Sequence, residues 1–147
     1  MQQSALEEIR VWAGAELEMR ESHRPLTSPE LVALAQSEFI DIGAHTVTHP
    51  MLSAHSREKQ KMEIEEGKKF LEGVLGKPVS SFAYPFGWPA AYTGETVALV
   101  RDAGFSCACS TVADTAWRGS DMCQLPRFMV MDWDGQEFER QLVKWLT

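Results

Sequence analysis

The sequence has few of the features that define several large classes of protein. Three cysteines are an odd number and too few for a disulfide framework, and this usage favours a reducing compartment. No apolar run reaches the roughly 18 to 20 residues that a membrane-spanning helix needs. The first twenty residues carry four glutamates where a signal peptide has its apolar core. We therefore expect no membrane span and no signal peptide; the location stays open, with the cytoplasm favoured.

Basic charge is also scarce. The chain has 14 lysines and arginines against 21 aspartates and glutamates, which gives a net charge of −7. Nucleic acids and anionic membranes favour basic surfaces, so neither is an expected partner. With 44% apolar residues, the 147 residues can bury one core and do not require a second. We therefore expect a single domain.

Two histidines, His45 and His49, lie four residues apart, directly behind the apolar stretch 39–44. At this spacing one turn of backbone can aim both imidazole rings at one point, as a transition-metal ion requires. Pro50 prevents a long helix through the pair. The alternative is two histidines that only make hydrogen bonds in a loop, and the pair taken alone favours neither interpretation.

Helical and extended patterns alternate along the chain. Helix signals, including a capping box at Thr27 and Glu30 and a cap at Ser56, predict helices over residues 4–20, 27–36, 56–75, 93–103 and 134–146. Extended patterns predict strands over residues 39–44, 79–84, 105–110 and 125–131. Helices and strands that alternate through short links predict parallel strands joined by crossover helices.

Three segments follow predicted strands and carry residues suited to a site. They are residues 45–50, 85–88 and 111–117. In parallel α/β folds, functional sites gather at the C-terminal ends of the strands. We therefore expect the three segments to converge on one face, together with the histidine pair.

Two of these segments resemble motifs of the polysaccharide deacetylases, the NodB-homology carbohydrate esterases. Residues 45–50, His-Thr-Val-Thr-His-Pro, resemble the family's second motif, and residues 82–87, Phe-Ala-Tyr-Pro-Phe-Gly, resemble its third. The ending over residues 125–138 is also similar, so the resemblance covers about residues 27–146. It implies an α/β fold, a distorted (β/α) barrel of parallel strands.

The resemblance also implies an activity, that of a metal-dependent amidohydrolase acting on the N-acetyl amide of a glycan or glycoconjugate. His45 and His49 would bind a divalent metal, often zinc, with cobalt or another ion as alternatives. Such an ion lowers the pKa of its bound water toward ~7. Thr46 would brace the loop through its hydroxyl, and the backbone N–H of Phe86 would be the catalytic oxyanion donor.

A set of residues near the third motif would bind the N-acetylated carbohydrate. Tyr84, Pro85 and Trp88, with the ring of Phe86, would offer flat apolar surface to a sugar ring. Arg127 has two interpretations, a hydrogen bond to a carboxylate in the site or an ion pair on the surface.

The sequence departs from the family pattern at three points. Family members begin with a strand that carries an aspartate pair, the source of the base and the third metal ligand, whereas the first aspartate here is Asp41. Ala83 replaces an arginine that often opens the third motif, and the late Leu-x-His motif is absent. We therefore expect residues 1–147 to be a truncated domain, an incomplete distorted barrel without its first strand or strands, in which residues 1–26 are a variable helical segment.

This deficit limits the expected chemistry. Two histidines are fewer than the three protein ligands of a usual catalytic zinc site, so we expect weak metal binding and little activity from the chain alone. An exposed barrel edge favours self-association. The alternatives are a non-catalytic module that binds carbohydrate and a hydrolase of another non-peptide C–N bond.

Two further patterns have structural interpretations. Cys107 and Cys109 alternate on a predicted strand, which favours a buried face over a thiolate metal site completed by Cys123. The charged run 57–69 is typical of a solvated helix face.

Overall fold

The regular structure consists of helices and short parallel strands. The computed structural model describes residues 2–14 and 23–146. Its helices are α1 (Gln2–Trp12), α2 (Ser28–Leu34), α3 (Arg57–Leu75), α4 (Gly94–Asp102) and α5 (Gly135–Leu146), with a short 3-10 helix at Leu52–Ala54. Its strands are β1 (Ser81–Ala83) and β2 (Cys107–Cys109). Within the described ranges, no helix is long and apolar enough to cross a membrane.

The strands form the centre of a parallel array. Phe82 of β1 is paired with Ala108 of β2, and both neighbouring positions follow the same register. Ala44 bridges to Phe82 on one side and Leu125 bridges to Cys109 on the other, both in parallel. The spatial order of Ala44, β1, β2 and Leu125 is therefore the order of the chain, with α3 and α4 in the first two connections. The predicted parallel α/β arrangement is confirmed for these elements.

The helix ends follow the predicted capping signals. The Glu30 carboxylate accepts the backbone N–H of Thr27 at 2.8 Å, which is the reciprocal contact of a capping box. The Ser56 hydroxyl accepts the N–H of Lys59 at the start of α3. Gly76 ends α3 in the left-handed conformation, with φ 65°, which a glycine adopts without steric cost.

The core lies between the strands and helices α3 and α4. Its apolar members include Leu52, Ile64, Phe82, Tyr84, Val100 and Phe105. Phe82 contacts the rings of both Tyr84 and Phe105, with centroids 5.3 and 5.2 Å away. This packing fixes β1 against the helices, and so it also fixes the backbone that leaves β1 at Tyr84.

The strands are shorter than predicted. Of residues 39–44 only Ala44 is paired, and Phe39 lies exposed in a turn. Ala108, rather than the flanking cysteines, faces the core, because Cys107 and Cys109 point to the opposite, partly open side of β2. The expected buried cysteine face is therefore wrong for these two residues, while Cys123 is buried. Of the predicted helix 4–20, residues 15–20 lie outside the described residues.

Candidate active site

The candidate site lies where the parallel strands end. His45 follows the paired Ala44, the segment 84–88 follows β1, and Ser110 and Thr111 follow β2. The N–H of Thr111 donates to Gly87 O at 2.9 Å, which joins the second segment to the third. The predicted convergence on one face is thus observed for these three strand ends.

The two histidines face each other at this end of the sheet. Their ring centroids are 4.8 Å apart and the rings meet edge to face at 68°. Nδ1 of His45 lies 2.7 Å from the carbonyl oxygen of Ala83. Because a carbonyl oxygen only accepts, Nδ1 carries the proton in this hydrogen bond, and in the neutral ring Nε2 is then the nitrogen with the lone pair. This is the tautomer that a metal-binding imidazole has when a carbonyl orients its other nitrogen.

Aromatic rings extend the histidine pair toward the third motif. The ring of His49 meets the ring of Phe86 at 4.8 Å, and Phe86 meets Trp88 at 5.1 Å. His45, His49, Phe86 and Trp88 therefore form one continuous row of rings. All four residues are exposed, with 42% of Phe86 and 46% of Trp88 accessible to solvent. The structure brings together the predicted metal ligands, the predicted oxyanion donor and one predicted sugar-binding residue.

Strained backbone marks the same loops. Thr46, His49 and Phe86 have φ of 64°, 56° and 63°, and they are the non-glycine residues with positive φ in the described part of the chain. Each such residue costs on the order of 1 kcal/mol or more and persists only where its surroundings enforce it. The strain therefore points to contacts that hold these loops in place.

The loop 45–50 is held by Glu63 of α3. Its carboxylate accepts the N–H groups of Val47 and Thr48 at 3.0 and 2.8 Å and the Thr48 hydroxyl at 2.7 Å. Lys59 forms an ion pair with it at 2.9 Å. Burial opposes ionisation, but the hydrogen bonds from Lys59, Thr48 and Val47 outweigh it and lower the pKa of Glu63 to about 2. Glu63 is therefore a buried anion that binds the loop.

Thr46 and Gly67 complete the support of this loop. The Thr46 hydroxyl accepts the N–H of His49 at 3.1 Å, so the predicted brace is confirmed as a contact. A Cβ at Gly67 would lie 3.0 Å from the backbone C and O of Thr46. Glycine at this position of α3 therefore lets the helix approach the loop closely.

The loop 85–88 has a different support. Gly87, with φ 72°, donates its N–H to Pro85 O at 2.7 Å. The hydroxyl of Thr111 donates to Phe86 O at 2.9 Å. The N–H of Phe86 makes no hydrogen bond within the described residues. The ring of the same residue lies beside His49, at a centroid distance of 4.8 Å.

Tyr84 and Pro85 are placed differently from the expectation. Both are fully buried, and Tyr84 has 0% of its surface exposed. The Tyr84 hydroxyl donates to Cys123 O at 2.7 Å, and its ring stacks on Tyr92 at 4.1 Å. Burial raises the pKa of this phenol. Neither residue offers the flat exposed surface expected of it, because the core and the β2 side of the sheet cover them.

Arg127 is exposed at the mouth of a neighbouring cavity. The cavity, of about 320 Å³, is lined by Arg127, Thr111 and Phe128 among others. The backbone N–H of Arg127 donates to Val112 O, and its guanidinium has no ion-pair partner among residues 2–14 and 23–146. Thr111 links this cavity to the loop 85–88.

The donor set fits a metal ion only in part. Imidazole nitrogens are donors that suit zinc or cobalt, and two imidazole rings lie together here, one of them oriented by a carbonyl. The described residues contain no group of three or more His, Cys, Asp or Glu side chains arranged to hold an ion. The two histidines therefore face each other without a third side chain of these types beside them in the described part of the chain.

Sequence reasoning missed Glu63, although a signal was present. The run 57–69 reads as a solvated face, yet Gln60, Glu63 and Gly67 recur at helical spacing on the stripe that carries Ile64. All four of these residues are buried. A carboxylate on the apolar stripe of a helix is the pattern that indicates a buried functional contact.

Comparison with known proteins supports the motif assignment. The polysaccharide deacetylase family matches residues 10–108. The protein YxkH of Bacillus subtilis (strain 168) is 27% identical over 105 residues, a match that covers 71% of this chain and 36% of YxkH. The chain therefore spans about a third of the length of this curated relative.

Solved structures share the fold. The deacetylase PplD of Streptococcus pyogenes, in complex with acetate, superposes with a TM-score of 0.73 at 22% identity, over 86% of this chain and 53% of PplD. The polysaccharide deacetylase BC0361 of Bacillus cereus gives 0.71 at 21% identity, over 83% of this chain and 38% of that protein. IcaB of Ammonifex degensii superposes with a TM-score of 0.70 at 21% identity, over 88% of this chain and 56% of IcaB. These proteins have a (β/α) barrel, and the parallel strands and helices described above correspond to that fold. Because the family match covers two thirds of the sequence, from residue 10 through β2, the chain belongs to the polysaccharide deacetylase family.

Proposed function

We propose that the chain is the histidine-bearing part of a metal-dependent deacetylase that hydrolyses the N-acetyl amide of a glycan or glycoconjugate. The observation that carries the proposal is the juxtaposition of His45 and His49 with the free N–H of Phe86. Family membership favours this reaction class. The exposed rings of Phe86 and Trp88 suit a sugar, because pyranose rings pack on flat apolar surfaces.

His45 and His49 would hold the divalent ion, with zinc as the first candidate and cobalt or another ion as alternatives. When bound, the ion supplies Lewis acidity and makes water nucleophilic near neutral pH. The hydrogen bond from His45 Nδ1 to Ala83 O keeps Nε2 free to bind it. The positive φ of His49 sets the direction of the second ring.

The chain's own groups would act on the amide as it reacts. In the hydrolysis, a water oxygen bonds to the acetyl carbonyl carbon, the C–N bond breaks, and the nitrogen takes up a proton, which leaves acetate and a free amine. The Phe86 N–H would donate to the carbonyl oxygen as negative charge develops there. Trp88 would pack on the sugar and Arg127 would bind an oxygen at the edge of the site. Tyr84 and Pro85, being buried, would support the loop instead of touching the sugar.

We also propose that residues 1–147 are a truncated domain and an incomplete barrel, with residues 1–26 as a variable segment that contains the helix Gln2–Trp12. Two facts support this: the chain spans 53% of PplD, and its first aspartate is Asp41. A third ligand and a general base, the roles of the family's aspartate pair, would then come from outside the described site. The 147 residues alone should bind metal weakly and turn over little substrate.

Acetate release from an N-acetylated chito-oligosaccharide tests the function. The chain with an in-frame segment that carries the aspartate pair should release acetate, and a chelator should stop it. The chain alone should show no release above buffer. Robust release by the chain alone would contradict the assignment of an incomplete site, and no release by the longer form would contradict the deacetylase proposal.

A second candidate function is a non-catalytic module that binds carbohydrate. It is favoured by one observation, the exposed rings of Phe86 and Trp88 beside a set of only two ligands. The coding region upstream of the Met1 codon separates the candidates. An in-frame aspartate-pair strand there supports the enzyme, and a gene that starts at Met1 supports the module.

Self-association through the open edge of the sheet is a further part of the proposal. A cavity of about 440 Å³ lies beside Ala44 and is lined by Gly43, Phe70 and Leu71 among others. Phe70 is 63% exposed. Exposed apolar surface beside an unpaired strand edge favours pairing with a second copy. Light scattering should show dimers or larger species that Phe70→Gln reduces; a monomer at all concentrations would contradict this.

A further inference from the structure

Glu63 has a role that stability alone does not describe. We propose that it is a positioning residue, which fixes the direction of the His45–His49 pair by binding the backbone between them. This inference rests on the proposed metal site, because it concerns the geometry of that same pair. It adds a residue from α3 to a site whose other members all follow strands.

The contacts of Glu63 are concentrated on the loop. One carboxylate oxygen accepts the N–H groups of Val47 and Thr48, and the other accepts the Thr48 hydroxyl and the ammonium of Lys59. The side chain is 0% exposed. A buried carboxylate is costly unless hydrogen bonds and ion pairs use its acceptor capacity. Three of the four groups that contact Glu63 belong to the loop 45–50, and the fourth is the ammonium of Lys59.

The bound residues lie between the two histidines. Only residues 46, 47 and 48 separate His45 from His49, and Glu63 binds two of their three N–H groups. The positive φ values occur at Thr46 and His49, on either side of the bound segment. Releasing the carboxylate would let these two residues relax toward negative φ, which would rotate the rings away from each other.

Gly67 shows that α3 is shaped for this loop. It lies one helical turn after Glu63, and any side chain there would press on the backbone of Thr46. By contrast, the other buried polar residue of α3, Gln60, accepts from the hydroxyl of Thr96 and donates to His55 O. Gln60 therefore joins helices, whereas Glu63 and Gly67 both face the histidine loop.

A structural role and a positioning role make different predictions. If Glu63 only stabilised the fold, its loss would lower stability and leave each folded molecule able to bind metal normally. If it positions the pair, its loss also changes the two imidazoles in the folded protein. Val100→Ala is the matched control, because Val100 is fully buried in α4, away from the loop, and its truncation lowers stability through a cavity.

The experiment compares wild type, Glu63→Ala, Glu63→Gln and Val100→Ala at a temperature where all four are folded. The NMR signals of the His45 and His49 rings are recorded without metal, and cobalt affinity is measured by its visible absorption. Glu63→Ala should shift both ring signals and weaken cobalt binding about 10- to 100-fold, as loss of an outer-shell partner does. Glu63→Gln should be intermediate, because its carbonyl oxygen can still accept both N–H groups. Val100→Ala should match wild type within twofold.

Each outcome decides a separate point. Unchanged ring signals in folded Glu63→Ala would overturn the positioning role whatever the metal result. Where cobalt binding depends on His45 and His49, cobalt affinity within twofold of wild type would overturn it too. Shifted ring signals with cobalt binding that survives His45→Ala/His49→Ala would keep the positioning role and overturn the proposed metal ligands. An equal loss of affinity in Val100→Ala would assign the effect to stability and also overturn the inference.

Discussion

The two loops of the candidate site, residues 45–50 and 85–88, are held in place by different kinds of contact. Both follow parallel strands, and both hold non-glycine residues at positive φ. The loop 45–50 is bound by the ionised carboxylate of Glu63. The loop 85–88 is bound by neutral hydrogen bonds to Thr111 and by the left-handed Gly87. The first loop therefore depends on a charge, and the second depends on shape.

This difference separates the properties of the two loops. Charged hydrogen bonds in a buried place are strong, and they fail when the anion is removed or protonated. A glycine turn is insensitive to pH but tolerates no side chain. The geometry of the loop 45–50 should therefore respond to acid through Glu63, whereas the geometry of the loop 85–88 should respond only to substitution.

The largest effect is expected from Glu63→Ala. It leaves three partly buried donors, the N–H groups of Val47 and Thr48 and the Thr48 hydroxyl, without an acceptor, at about 1 kcal/mol or more for each donor. We expect a loss of about 3–4 kcal/mol in the free energy of unfolding, measured by urea denaturation. A loss below 1 kcal/mol would mean that the loop rearranges freely, and the contrast between the loops would fail.

Acid should weaken the binding of Glu63 to the loop 45–50 and leave the contacts of the loop 85–88 unchanged. Because the pKa of Glu63 is about 2 in the folded chain and near 4.5 ordinarily, its contribution is present above pH 4.5 and is lost as the pH falls toward 2. This contribution is about 3 kcal/mol. The difference in unfolding free energy between wild type and Glu63→Gln should therefore shrink over that range. A difference that stays constant from pH 6 to pH 2 would contradict an ionised Glu63.

Gly87→Ala tests the second loop. The new Cβ would lie 2.8 Å from the Thr111 N atom at a φ of 72°, so we expect a loss of about 2–3 kcal/mol. The matched control is Gly73→Ala in α3, where nothing lies within 4 Å and a gain of about 0.5–1 kcal/mol is expected. The loss should be the same at pH 4 and pH 7. Thermal unfolding of both variants checks this, and equal stabilities would refute the shape argument.

Thr111→Val should have the smallest effect. It keeps the shape of the side chain and removes the hydroxyl that donates to Phe86 O, which is worth about 1 kcal/mol. Hydrogen exchange at the Gly87 amide should become faster, while exchange at Val47 stays unchanged. Faster exchange at both sites would show that the two loops are coupled, contrary to their separate supports.

Local signals in the sequence predicted much of this fold. The caps at Thr27 and Ser56 depend on neighbouring residues only, and the structure confirms them. The strands were overpredicted because an extended pattern becomes a strand only where a partner pairs with it. Phe39, at the start of the first predicted strand, has no such partner among the described residues.

The sequence predicted which residues lie in the candidate site better than it predicted the contacts that hold them there. The spacing of His45 and His49 allows the two rings to meet, and the resemblance to the family implies that Phe86 belongs to the same site. The buried hydroxyl of Tyr84 contacts a residue that lies 39 positions away in the sequence. Glu63 contacts loop residues that lie 15 and 16 positions away from it. No local pattern fixes such contacts, and neither does it fix the positive φ of Thr46, since threonine rarely adopts it.

A cobalt titration of wild type against His45→Ala/His49→Ala tests the central claim, that the two imidazoles converge on a metal ion. We expect weak binding by the wild-type chain, with an absorption spectrum typical of nitrogen ligands, and its disappearance in the double variant. Circular dichroism should show that the variant remains folded. Equal cobalt binding by the two proteins would contradict the claim.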